Sequence, residues 1–115
     1  MTESKFSLIV DNQSNISKQA IVSIVHYEQN NDVFTVGNGF FINSTNSNYR
    51  FILTTAHNLT DYSISISNVS DLRIASKIII QTFYPVPEQF TNSSLKVVFI
   101  DYATDIAIIR IPNSP

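Results

Sequence analysis

Only two histidines occur in the 115-residue chain, His26 and His57, and there is no cysteine. Acid–base chemistry near neutral pH therefore rests on imidazole. His57 stands in "ILTTAHNLT", where an apolar strand-like run passes into Ala56, His57 and Asn58 without a turn residue. A histidine there is either a strand-end side chain satisfied by a backbone carbonyl or a catalytic base. The second role needs a carboxylate that fixes the imidazole tautomer and stabilises the imidazolium. Asp61, Asp71, Asp101 and Asp105 are the candidates. Asp61 and Asp71 have ordinary turn contexts, and Asp101 ends a strand-like run where water reaches it. Asp105 opens the apolar run "DIAIIRI". A carboxylate at such a mouth is partly desolvated and calls for hydrogen bonds.

His26 closes an apolar run beside Tyr27 and reads as a surface or barrel-rim residue. Two histidines without a His-Glu-x-x-His pattern make no zinc site, and without cysteine there is no thiolate-bound metal. No cofactor is expected. The only two glycines, Gly37 and Gly39, share one strand-like run. Glycine inside a strand marks a bulge or a close backbone approach.

The elements that must position these residues are short and β-rich. Runs rich in Ile, Val, Phe and Tyr cover 20–28, 33–43, 50–55, 74–83, 95–100 and 105–111. "YSISIS" at 62–67 alternates strictly, as a half-buried antiparallel strand does. The segment 84–94 contains two prolines and reads as a loop, and Pro112 stops the last ladder. Six or seven strands without a convincing helix predict a sandwich or small barrel. Residues 1–19 read as a polar arm, 20–111 as the β-domain, and 112–115 as the start of a linker.

Composition narrows the function classes. Hydrophobic residues make up 43% and charged residues 14%, which excludes a disordered chain. The net charge is −2 with no Lys/Arg cluster, so a basic nucleic-acid stripe is not expected. The aromatic residues lie mostly within strands and read as core. No run approaches the roughly 18 apolar residues of a membrane helix, and "FSLIV" is too short for a signal-peptide core. A chain without cysteine suits a reducing compartment.

"GNGFFI", "ILTTAHNL" and "KVVFIDYATDIAIIRI", in that order, resemble the first half of trypsin-like (chymotrypsin-fold) serine peptidases, including their disulfide-free HtrA-type relatives. The first matches a Gly-Ser-Gly-apolar strand, with Asn38 in place of the serine. The second matches Leu-Thr-Ala-Ala-His, and the third Asp-Ile-Ala-Leu-Leu-Lys. The resemblance covers about 20–111. It implies a six-stranded antiparallel barrel with His57 as general base and Asp105 as its orienter. Gly37, Gly39, Thr55 and Ala56 are then structural neighbours of the site. The family's nucleophile lies in Gly-Asp-Ser-Gly-Gly, in a second barrel, and no serine of this chain has that setting. The expectation is an N-terminal half-domain, inactive alone, completed by a second barrel in cis or on another chain and acting on polypeptide. The alternative is a non-catalytic structural or protein-binding β-module in a larger assembly.

Overall fold

The structure is a computed structural model that describes residues 20–42, 48–64, 72–84 and 86–113. Seven strands follow in chain order: β1 (Ile21–Glu28), β2 (Val33–Ile42), β3 (Tyr49–Thr54), β4 (Ile78–Thr82), β5 (Glu88–Phe90), β6 (Lys96–Asp101) and β7 (Ile106–Pro112). They form one sheet in the order β5-β4-β1-β2-β3-β7-β6, every neighbour pair antiparallel. The sheet curls into an all-β half-barrel whose edges, β5 and β6, do not pair with each other.

Alternation decides what lies inside. In β1, Val22, Ile24 and His26 are buried while their neighbours are only partly covered. In β7, Ala107, Ile109 and Ile111 are buried in the same rhythm. With Ile52, Leu59, Ala75, Ile78 and Ile80 they make one core, against which Phe41, Phe90 and Val97 pack. Each fully covered isoleucine contributes roughly 2–3 kcal/mol of hydrophobic stabilisation.

The glycines illustrate the tightness of this core. The β1–β2 register runs without a shift from Ile21↔Phe40 to Glu28↔Val33. The glycines therefore sit in a regular ladder and mark a close approach, not a bulge. A Cβ on Gly39 would lie 2.7 Å from Ile52 Cγ2 and 3.0 Å from Ile24 Cδ1. The one irregularity among the described pairings is in β6, between Val97 and Phe99.

Four expectations need correction. The described residues hold seven strands, not six, because Glu88–Phe90 pairs with β4 inside the segment read as a loop. That strand is three residues long and lies at the sheet edge, where a preceding proline removes no needed hydrogen bond. Tyr62–Ile64 form a turn rather than a strand, and the rest of the 62–67 run lies outside the described residues. The 74–83 run is a strand only over Ile78–Thr82, since Ile74 makes an isolated bridge to Thr60. His26, expected as a surface or barrel-rim residue, is 3% exposed, on the inward alternation of β1.

The outer face is unusual. Directly paired residues share a face, and Phe40↔Leu53, Leu53↔Ile108 and Ile108↔Phe99 are successive pairs across β2, β3, β7 and β6. An apolar row thus crosses four strands on the side away from the core. Phe40 and Phe99 are each about half exposed.

Candidate functional site

The His57 position follows from how β3 ends. Thr55 is extended, with φ −96° and ψ 152°, and the chain then tightens into a 3-10 turn, Ala56–Leu59. Such a turn has three residues per revolution, so positions three apart point the same way. Ala56 and Leu59 are its buried pair. His57 is thereby turned outward, and its side chain is 56% exposed. The turn is fastened at both ends: Asn58 N donates to Thr55 O at 3.1 Å, and the buried Thr60 Oγ1 donates to Ala56 O at 2.7 Å.

Asp105 arrives from the β6–β7 hairpin. Asp101 organises that turn by accepting from Ala103 N at 3.2 Å and Thr104 Oγ1 at 2.6 Å. The turn ends with Asp105 in the left-handed region, φ 58°. Aspartate tolerates this better than most residues, at a cost of roughly 1 kcal/mol. The result is a two-point grip on one residue. Asp105 Oδ1 accepts from His57 N at 2.9 Å, and Asp105 Oδ2 lies 2.6 Å from His57 Nδ1. The hydrogen bond to the imidazole is the main reason the Asp105 carboxyl is held below the usual carboxylate range. Partial burial opposes it, and the backbone N–H groups of His57 and Ala56 add to it.

The other carboxylates have different duties. Asp101 is engaged in its own hairpin. Asp61 is 4% exposed, so its turn context hides a buried anion. It accepts from Gln29 N at 3.0 Å and from Ser63 N at 2.9 Å, and Ser63 Oγ also donates to it. Desolvation pushes its carboxyl up, but the hydrogen bonds from Ser63 and Gln29 outweigh this and hold it below its ordinary value. Asp71 lies outside the described residues. His26 sits apart, buried on the inward side of β1, and among the described residues its Nδ1 has no hydrogen-bond partner.

Two side chains that sequence reasoning missed, Thr54 and Asn58, hold the His57 turn onto the sheet. Thr54 Oγ1 donates to Asn38 O at 2.8 Å. Asn58 Nδ2 lies 3.2 Å from Asn38 O and 3.0 Å from Thr54 Oγ1. Gly37 gives this network its room: a Cβ there would fall 2.2 Å from Asn58 Oδ1. The signal was a hydroxyl at Thr54, on the inward register of β3 after Ile52, where a polar group demands a partner.

Chemically, the carboxylate selects the imidazole tautomer. Nδ1 carries the hydrogen and donates to Asp105, which leaves the Nε2 lone pair free to accept a proton. Thr55 Oγ1 lies 3.4 Å from that Nε2. No described serine is hydrogen-bonded to the ring. Beside the pair lies a mainly apolar hollow of about 290 Å³, bordered by Asn38, Phe40, Leu53, Thr54, Asp105 and Ile106. No group of three or more His, Asp or Glu side chains that could hold a metal ion occurs among the described residues. No protein-family model matches the chain, and comparison with curated proteins gives no match either.

Proposed function

We propose that this chain is the base-bearing lobe of a trypsin-like serine peptidase, with His57 as general base and Asp105 as its orienting carboxylate. The two-point grip of Asp105 on His57 N and Nδ1 carries the reading. Stability alone is a weak reason for it. Even with the imidazole charged, a contact as exposed as this one contributes roughly 0–1 kcal/mol, and the left-handed turn at Asp105 offsets about that much. Strain of this kind in the carboxylate residue that grips a solvent-facing imidazole fits a group held ready for proton transfer.

In the completed site a serine hydroxyl from a second unit loses its proton to His57 Nε2 as its oxygen bonds to the peptide carbonyl carbon. The imidazolium, stabilised by Asp105, returns that proton to the leaving amine as the C–N bond breaks. Water then repeats the cycle on the acyl-enzyme. The oxyanion hole comes with the serine, from the second unit. The apolar row through Phe40 and Leu53, with the hollow beside Asp105, is the surface on which that unit seats. Polypeptide is the substrate class.

The test is fluorophosphonate labelling of the protein from its native source and of the 115-residue chain. The reading expects no labelled serine in this chain. It expects one in the longer chain or complex that contains it, lost on His57→Ala and reduced on the order of 10⁴-fold by Asp105→Asn. A native assembly with both residues intact and no reactive serine would sink it. The second reading, a non-catalytic module, is favoured by the same exposed apolar row. It expects partner capture that is indifferent to His57→Ala.

A further inference from the structure

We propose a second site, an oxyanion pocket at the far end of β7 from His57. Lys96 and Arg110 are directly paired across β6 and β7, so two cations face each other on one side of the sheet. Like charges so placed repel. The chain has only seven Lys and Arg residues and a net charge of −2, so this juxtaposition runs against its average. Among the described residues no acidic side chain borders the pocket and neither cation is in an ion pair.

The space between them is a hollow of about 210 Å³, lined also by Ser93, Ser94 and Tyr49; the Ser93 hydroxyl lies 3.4 Å from Thr91 Oγ1. The Arg110 guanidinium lies over the Tyr49 ring at 4.2 Å. Stacking fixes the plane of its N–H fork, the arrangement that grips two oxygens of one anion. Lys96 adds a point charge and the serines add two neutral donors. Tetrahedral geometry, with oxygens on several sides, uses all of these groups, whereas a planar carboxylate leaves the serines unmatched. The ligand class is therefore a phosphate or sulfate group, free or as a monoester. Five strand positions separate Asp105 from Arg110, roughly 17 Å, so the pocket is independent of the His57 site and of the function proposed for it.

The experiment is an amide-resolved NMR titration of the 115-residue chain with inorganic phosphate, against sodium chloride of equal ionic strength. Sulfate, phenyl phosphate and acetate form further arms. Expected are saturable shifts at the amides of Ser93, Ser94, Lys96 and Arg110, with His57 unmoved and acetate the weakest ligand. Lys96→Gln, at an exposed position, weakens phosphate at least about tenfold. Arg110→Lys, which keeps the charge but not the fork, also weakens it, and Arg73→Gln leaves it within about twofold. Phenyl phosphate binding more tightly than phosphate assigns a monoester, and equal binding assigns the free anion. Shifts that fail to saturate, that chloride reproduces, that acetate matches, or that survive Lys96→Gln would overturn the proposal.

Discussion

Replacing Gly37 by alanine is expected to loosen the His57 turn through one neighbour, Asn58. The backbone at Gly37 is not left-handed, so alanine meets no φ penalty. The added Cβ, however, would lie 2.2 Å from Asn58 Oδ1, 2.5 Å from its Cγ and 2.7 Å from its Nδ2. The amide must leave, and with it go the contacts to Asn38 O at 3.2 Å and Thr54 Oγ1 at 3.0 Å. At about 1 kcal/mol for each hydrogen bond the loss is about 2 kcal/mol. A gain of roughly 0.4–1 kcal/mol from the stiffer unfolded chain offsets part of it. The net destabilisation is about 1–2 kcal/mol, which lowers a urea midpoint by roughly 0.5–1 M at an m-value near 2 kcal/mol/M. The control is Asn58→Ala, which removes all three crowding atoms. In that background Gly37→Ala should cost nothing or stabilise by up to about 1 kcal/mol. Equilibrium urea unfolding followed by circular dichroism on the four proteins of the cycle measures this. Equal penalties for Gly37→Ala with and without the Asn58 amide would refute the reasoning.

Three further outcomes follow from buried or charged groups. His26→Leu should raise thermal stability by an amount equivalent to about 1 kcal/mol, because it removes a buried Nδ1 without a partner among the described residues. A fall in melting temperature would show that the ring is satisfied. Asp61→Ala should cost about 2–4 kcal/mol, since the Gln29 and Ser63 N–H groups lose a buried anionic acceptor; a loss under 1 kcal/mol in chemical denaturation would contradict this. The Asp105 carboxyl is depressed, foremost by the His57 hydrogen bond. Its stabilising contribution is thus present above the unfolded carboxylate value, about 3.9, and lost as pH falls through the lower folded value. Asp105→Asn should flatten that acid limb of the stability curve relative to the parent, and an unchanged limb would argue against the contact.

The legible part of the fold was the part written in consecutive residues. β1, β2, β3, β6 and β7 are runs of β-branched and aromatic side chains, and their ends were readable to within a residue or two. That the chain is all-β and barrel-like followed from their number; that the sheet is an open half-barrel did not. β5 was illegible because a three-residue edge strand buries little and pairs on one side only, so prolines nearby outweighed it. Over Tyr62–Ile64 the alternation misled, because period-two patterning describes a face without supplying a partner strand. At the site, Asp105 was legible as a carboxylate opening an apolar strand, and the structure brings it onto His57. Asp61 was not, because the amides it serves include Gln29, far away in sequence. Thr54 and Asn58 were missed for the same reason, since Asn38 O lies on another strand.

The tautomer of His57 is the most direct test of the central claim. Long-range proton–nitrogen correlation spectra of the neutral imidazole report which ring nitrogen carries the hydrogen. The account predicts a protonated Nδ1 and a bare Nε2, with the preference abolished by Asp105→Asn and the remaining spectrum preserved. An imidazole protonated at Nε2, or a tautomer indifferent to that substitution, would contradict it.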